Sequence, residues 1–367
     1  MEWNCHVFFE RRTVCQVILL CLIVGASLTY WAFPKHLLFP ESEAGSKNAD
    51  AVEVKQVAKP TGKDSSPKSL LSPVNVGSNN VGPSPVQVTK GTRANLKASS
   101  PKQYYVTSYF GGRLGNQMFD YASLLGIARM NNRTAWFPTA SILRYLFHVT
   151  KLADHDRRNY VKIPVPQVGT YDVKMEHLPP RDAYITNHIH AWRYFWHIKD
   201  EIRKELTLLP PMKKAGMDLL QKVTPAGREK AKKIGIHVRL EDVVQNPNGR
   251  KMAPVSYLQK ATDWMRKKYV DVVFIAACQD DKWCREHLKH MSDVVVSPPV
   301  SAGTHMAMLI LCDHVVMTVG TYGWMGAWLA GGDVIYYANY SVPNSHFYKQ
   351  YSVPADHFLP TWIPLGD

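Results

Sequence analysis

The stretch GIHVRLEDVV, residues 235–244, sets His237 and Arg239 two residues apart in an apolar run and places Glu241 and Asp242 at its exit. Arginine is a permanently charged planar fork, suited to a diphosphate. Adjacent strand residues point to opposite faces, so Arg239 shares a face with Glu241 and not with Asp242. A structural ion pair with Glu241 or Asp242 is the competing reading. Two further loops have the same flavour. GGRLGNQ, residues 111–117, crowds Arg113, Asn116 and Gln117 around Gly111, Gly112 and Gly115. TVGTYGW, residues 318–324, carries Thr321 and Tyr322 between glycines. A glycine loop that opens a helix presents backbone N–H groups where a phosphate is electrostatically favoured. A tight turn serving packing alone would look similar. Fixed donors of this kind stabilise negative charge that develops on a bound phosphate.

CQDDKW, residues 278–283, invites a metal reading, because paired aspartates at a strand end can bind a divalent ion. The spacing is DD rather than DxD, and Asp281 can equally cap the next helix. His188, His190 and His197, with Trp192 and Trp196, could form a sugar platform or simply pack. His188 and His190 lack a visible third partner for a metal. No metal site is expected.

The elements that must position these residues follow from periodicity. YYVTSYF, residues 104–110, is rich in β-formers. After its glycine loop, Met118, Ala122 and Leu125 fall at helical spacing. Strand candidates recur at 234–239, 271–277, 293–297, 314–319 and 333–337. Helical segments VSYLQKATDWMRKKY, DKWCREHLKH, THMAMLILC and WMGAWLA lie between them. Strands alternating with helices predict an α/β fold with a parallel sheet covered on both faces. Ligands gather beyond the carboxyl ends of such strands, where Arg239 and residues 318–324 stand. Residues 140–190 show little pattern. Phe195, Ile198, Ile202 and Leu206 follow on one helical face and read as core.

The first hundred residues are organised differently. Residues 13–33 contain no charge and are long enough to span a bilayer, with Arg11 and Arg12 before them and Tyr30 and Trp31 at the far end. A cleaved signal peptide is the competing reading, but Trp31, Phe33 and Pro34 do not form a small-residue cleavage site. Residues 34–102, rich in Ser, Pro and Lys, cannot bury enough apolar surface to fold and read as a stem. The expected layout is a cytosolic tail (1–12), a transmembrane signal-anchor (13–33), a disordered stem (34–102) and two halves of a globular body (103–232 and 233–367). That is the layout of a single-pass type II Golgi membrane protein with a luminal domain, and a receptor-like binding protein could share it. Asn132-Arg133-Thr134 and Asn339-Tyr340-Ser341 match the N-glycosylation acceptor.

The chain of 367 residues is 46% hydrophobic with a net charge of +14, which suits a globular body with an anionic partner. The basic residues are scattered, so nucleic acid is not the expected partner. Of six cysteines, only Cys278, Cys284 and Cys312 lie in the body, so at most one pair forms there and one thiol is free or bonds between chains. A membrane anchor and an odd cysteine are compatible with a homodimer.

Taken together, the body from about 104 to 363 resembles the animal α-1,2-fucosyltransferases of the blood-group H type. The residues that carry the resemblance are GRLGNQMFDYASLLGIARMNNR, SYLQKATDWMRKKY with the later WCRE, and the unbroken run from VMTVGTYGWMGAWLAGGD to VPADHFLPTW. GIHVRLEDVV resembles that family's HxRRxD donor motif. The resemblance implies a GT-B-like pair of Rossmann-like halves facing a cleft. It implies metal-independent, inverting transfer of fucose from GDP-β-L-fucose to the 2-hydroxyl of a terminal β-galactoside. Arg239 would hold the β-phosphate and His237 would sit on the guanosine side. Thr321 and Tyr322 would contact the diphosphate, and Gly112, Arg113 and Asn116 would face the fucose and leaving group. Asp242 is the candidate general base, in competition with a role in orienting a neighbouring group. The sequence departs from the motif at Leu240, where the second arginine is expected, and at His305, where the vertebrate pattern has aspartate. These departures keep two alternatives open: a catalytically inactive carbohydrate-binding protein on the same fold, and a transferase using another GDP-sugar.

Overall fold

The computed structural model describes residues 102–240 and 248–367. The proposed anchor, stem and Asp242 lie outside the described residues. Among the described residues no helix is long and apolar enough to cross a membrane.

The N-terminal half contains a four-stranded parallel sheet. Its strands are β1 (Tyr105–Ser108), β2 (Thr134–Ala135), β3 (Val161–Ile163) and β4 (Ala183–Ile185), in the order β2-β1-β4-β3. Helix α1 (Leu114–Met130) follows β1. Met118, Ala122 and Leu125 are buried as their spacing predicts, but nearly every other residue of α1 is buried too. One apolar stripe is therefore not what the sequence shows, because α1 lies between its own sheet and the C-terminal half. Strand β4 stops at Ile185. The helical stretch after it opens as two 3₁₀ turns before α2 (Lys199–Glu205) begins. Phe195, Ile202 and Leu206 are buried there as expected. Helix α3 (Pro210–Val223) leads to the second half.

Six parallel strands form the second sheet: β5 (Lys232–Val238), β6 (Val272–Cys278), β7 (Val294–Val296), β8 (His314–Met317), β9 (Val334–Tyr337) and β10 (Ile363–Leu365). Their order is β10-β9-β8-β5-β6-β7. Read from β7, with β5 as the first strand, this is the 3-2-1-4-5-6 order of dinucleotide-binding sheets. The helices are α4 (Val255–Lys268), α5 (Asp281–His287), α6 (Ala302–Ile310), α7 (Thr321–Ala330), α8 (His346–Gln350) and α9 (Pro354–His357).

Strand β6 shows why this sheet needs cover on both faces. Phe274 and Ala276 enter the main core, whereas Val273, Ile275 and Ala277 join a second cluster with Leu219 and Val223 of α3 and Met308 and Leu309 of α6. A run without polar alternation is what a doubly covered parallel strand requires. Cys278 and Cys284 form a disulfide across the turn from β6 into α5, leaving Cys312 as the free cysteine among the described residues. Cys312 is buried and its Sγ donates to the Met308 carbonyl, which removes the inter-chain bond that its odd number allowed. In CQDDKW the helix cap is Asp280, not Asp281: Asp280 Oδ1 accepts from the Trp283 N–H at 3.0 Å. Asp281 instead pairs with Arg285 one turn on.

Residues after α7 return to the first half. Gly169 N donates to the Gln350 carbonyl, Tyr171 N to Asp356, and Trp192 Nε1 to the Ala355 carbonyl. The two halves thus share one continuous core and are laced by the C-terminal segment.

Candidate active site

Each sheet has a point where its chain order reverses: between β1 and β4 in the first half, and between β5 and β8 in the second. Connections leave in opposite directions there and open a crevice beyond the strand ends. A cavity of about 330 Å³ lies where the two crevices meet. Asn116, Asn187, His188 and His190 line it from the first half, and Arg239, Arg250, Gly320 and Thr321 from the second.

Arg239 follows the last residue of β5 and is locked by the neighbouring strand. Its N–H donates to Thr318 Oγ1 at 3.1 Å, while Thr318 N donates to the His237 carbonyl. Gly320 comes next, with φ 100°. A side chain there would be strained by the backbone, and its Cβ would lie 2.3 Å from Arg239 Nη1. Glycine is needed so that the guanidinium can lie against the start of α7. No side chain caps that helix, and its first turn contains no acid. A guanidinium beside a helix N-terminus concentrates positive charge at one edge of the cavity. Arg250 adds a second guanidinium to the lining.

Arg250 bears on the motif's missing arginine. Leu240 is 4% exposed and belongs to the core. An arginine there would need burial or a different backbone path, and the cavity obtains its second cation ten residues later in the chain. The sequence offered no signal for Arg250 beyond its charge.

Asn116 joins the halves. Its Oδ1 accepts from Thr321 Oγ1 at 2.6 Å, and its Nδ2 lies 3.5 Å from His188 Nε2. This contact depends on Gly115. A Cβ on Gly115 would stand 2.3 Å from the Tyr322 backbone nitrogen, so α1 and α7 meet backbone to backbone.

The other expected residues surround this seam. Gly112 takes a left-handed backbone (φ 78°), and Arg113 is the exposed N-cap of α1. Neither lines the cavity. Gln117 is structural: its Oε1 accepts from Ser141 Oγ and Ile142 N. His237 is buried and packs 5.3 Å from the Tyr322 ring, beneath α7. Tyr322 directs its hydroxyl to the Ala302 carbonyl, so its side chain serves packing. Burial raises that phenol well above the usual range. His305 Nε2 lies 3.0 Å from Ser297 Oγ, outside the cavity lining, and burial holds its pKa down. Trp192, Trp196 and His197 do not line the cavity either, whereas His188 and His190 do.

The third partner that the sequence could not show for His188 and His190 is Asp120 of α1. Their ligand-type atoms lie within 4.8 Å of one another. Asp120 is fully buried. Its Oδ2 is 2.6 Å from His188 Nδ1, its Oδ1 accepts from Ile189 N at 3.0 Å, and His190 Nε2 is 3.5 Å away. Burial raises the Asp120 pKa, and the bond and charge of His188 oppose that shift. His190 is held well below its ordinary pKa, first by burial and then by the charges of His188, His357 and Arg250. His357 donates from Nδ1 to the His190 carbonyl at 2.7 Å, and burial holds its pKa at about 4.

Known proteins resemble this chain over most of its length. Glycosyl transferase family 11 matches residues 77–365. Galactoside alpha-(1,2)-fucosyltransferase 2 of Sus scrofa is 36% identical over 264 residues, which is 69% of this chain and 77% of that protein. Galactoside alpha-(1,2)-fucosyltransferase 1 of Mus musculus is 33% identical over 295 residues, covering 77% of this chain and 78% of the relative. Among solved structures, a mutant of Arabidopsis thaliana FUT1 in complex with GDP is 14% identical with a TM-score of 0.45, over 70% of this chain and 73% of that one. The family match takes in β1 through β10, both reversal points and every residue that lines the cavity; the chain belongs to glycosyl transferase family 11.

Proposed function

We propose that this protein transfers L-fucose from GDP-β-L-fucose to the 2-hydroxyl of a terminal β-galactoside, with inversion at the fucose anomeric carbon and without a metal ion. The carrying observation is the pair of guanidiniums, Arg239 and Arg250, lining one cavity with the uncapped start of α7. As the bond from C1 to the β-phosphate oxygen breaks, negative charge grows on the leaving GDP. Two fixed cations and a helix N-terminus stabilise that charge more than they stabilise the bound donor. Asn116, held by Thr321, stands where the two halves meet and orients the fucose and leaving-group region. The relatives, named as galactoside alpha-(1,2)-fucosyltransferases, support fucose as the sugar transferred and a galactoside as the acceptor class.

The same reading makes the chain a type II Golgi membrane protein, anchored by residues 13–33 with its transferase domain in the lumen. Asn132 and Asn339 are both exposed, as glycosylated residues of a luminal domain would be. Asp242 keeps its candidacy as base only from the sequence.

The test uses the full chain in detergent-solubilised membranes from a host lacking fucosyltransferase activity. A β-galactoside is offered with GDP-fucose, GDP-mannose or UDP-galactose in parallel, with and without chelator, and the linkage of any product is determined. A chelator-resistant α-1,2-fucosyl product that vanishes in Arg239→Ala is expected. Galactoside binding without transfer from any donor would favour an inactive binding protein, and transfer from GDP-mannose alone would reassign the donor.

A further inference from the structure

One buried carboxylate, behind the cavity lining, has no part in holding the donor. Asp120 stands one helical turn beyond Asn116, on the same face of α1. A buried charge is costly unless it is paired and hydrogen-bonded. Asp120 meets that condition through His188 and the Ile189 N–H, on the segment that leaves β4. The short contact at His188 Nδ1 fixes the ring: Nδ1–H donates to the carboxylate, and the Nε2 lone pair is left toward the cavity. Asn116 agrees with this tautomer. Its Oδ1 is occupied by the Thr321 hydroxyl, so its amide N–H side faces Nε2 at a long 3.5 Å. That contact is weak enough for an incoming hydroxyl to replace it. Asp120 is 0% exposed and the His188 side chain 18%, so the carboxylate is sealed while the imidazole reaches the cavity.

We infer that His188 is the general base of the transfer and that Asp120 is its positioning residue, an arrangement that rests on the transferase reading above. The acceptor O–H proton moves to His188 Nε2. The acceptor oxygen then uses its electron pair to form the bond to fucose C1. The bond from C1 to the phosphate oxygen breaks, and its electron pair leaves on GDP beside Arg239 and Arg250. Asp120 stabilises the resulting imidazolium until its proton passes to solvent. The base thus comes from the first half and the leaving-group cations from the second, on opposite sides of the reacting carbon.

The decisive variant is His188→Asn. Its Nδ2 can still donate to Asp120, so the buried charge stays paired, but no base remains. Turnover is expected to fall by about 10²–10⁴, the usual share of general-base catalysis, with GDP affinity and melting temperature unchanged. His188→Ala should regain part of its rate on adding imidazole, and Asp120→Asn should lower kcat while leaving the donor KM alone. The other titratable and charged groups around this ring are Asp120, His190 and Tyr109, with Tyr351 behind His190 and Arg239 and Arg250 across the cavity. Wild-type activity with His188→Asn turnover within about threefold of it would overturn the inference while leaving the transferase reading intact. So would loss of turnover in Asp242→Asn alone, because the base would then lie at 242. An inactive wild type would instead sink the transferase reading and this inference with it.

Discussion

The two halves bring different chemistry to the same cavity. The C-terminal half contributes permanent charge, in Arg239 and Arg250 beside the start of α7. The N-terminal half contributes an imidazole, His188, held by the buried Asp120 and backed by His190. Charge that never changes suits a leaving diphosphate. A titratable ring held by a buried acid suits an incoming hydroxyl. The halves therefore divide one displacement between them, and the hydrogen bond from Thr321 to Asn116 joins their facing glycine loops.

The largest effect expected of the C-terminal half separates those two roles. Arg239→Ala should cost about 10²–10³ in kcat, the usual loss of one transition-state donor, and should weaken GDP binding as well. Lysine at 239 should restore little, because a point charge does not reproduce a planar fork. GDP titration of the Arg239→Ala and His188→Asn variants side by side checks the division: only the arginine variant should lose donor affinity. Equal losses in both would mean that the halves do not specialise.

The next effect belongs to the N-terminal half and its C-terminal lacing. His357 has its pKa held at about 4 by burial, against an ordinary value of 6.5. The unfolded chain therefore binds a proton between those values that the fold does not. Stability falls as pH drops from about 6.5 to about 4, by about 3 kcal/mol in all for this one group. His190, shifted in the same direction, adds to the loss. Above the ordinary value neither group makes stability depend on pH. His357→Asn keeps a side-chain N–H for the His190 carbonyl and removes the titration. Urea unfolding of both proteins at pH 7 and pH 4.5 should show the variant losing less stability on acidification. Equal losses would place the acid sensitivity elsewhere.

A smaller effect tests the seam itself. Alanine at Gly115 places a Cβ 2.3 Å from the Tyr322 nitrogen and 2.7 Å from the Thr321 carbonyl carbon. Backbone cannot yield as a flexible side chain does, so α1 and α7 must separate, at a cost of about 1–3 kcal/mol. Thermal unfolding should register this as a lowered midpoint. Turnover should fall further than stability alone explains, because the shift moves Asn116 and His188 away from Arg239.

The halves also differ in how far their structure could be read from sequence. Strands β5 and β6 are seven-residue apolar runs, long enough to stand out, and the predicted spans for β5 to β9 agree with the structure to within two residues. In the first half β2 has two residues and β3 and β4 three each. Three residues are too few to show a period of two, and the turns between them follow tertiary contacts rather than a repeating pattern. The site divides in the same way. Arg239 and Thr321 announce themselves by position at strand ends, and Asn116 by its glycine loop. Asp120 meets His188 across 68 residues, which no local pattern encodes. Its one available signal was an acid set within MFDYASLLGIA, on a helix whose other residues are mostly apolar. A carboxylate in such a helix must find a buried partner, and that reasoning would have pointed to the histidines.

The smallest expected effect is none, and it bears on what the N-terminal half is built to do. Asp120, His188 and His190 have the composition of a two-histidine, one-carboxylate metal site, so excess chelator is a direct test of their role. Two ligands each about 2.0–2.2 Å from an ion such as zinc in tetrahedral geometry stand more than about 3 Å apart. Asp120 Oδ2 and His188 Nδ1 are 2.6 Å apart, the spacing of a charge-assisted hydrogen bond. Building a metal site here would require breaking the contact that pairs the buried carboxylate, and would occupy the nitrogen that fixes the ring's tautomer. Fucosyl transfer and the melting temperature should both be unchanged by chelator, and added zinc should not raise either. A chelator-sensitive rate would turn the proton-handling half into a metal-binding one. It would also relieve Arg239 and Arg250 of sole responsibility for the leaving group, so the steep loss expected for Arg239→Ala would shrink in the metal-loaded enzyme.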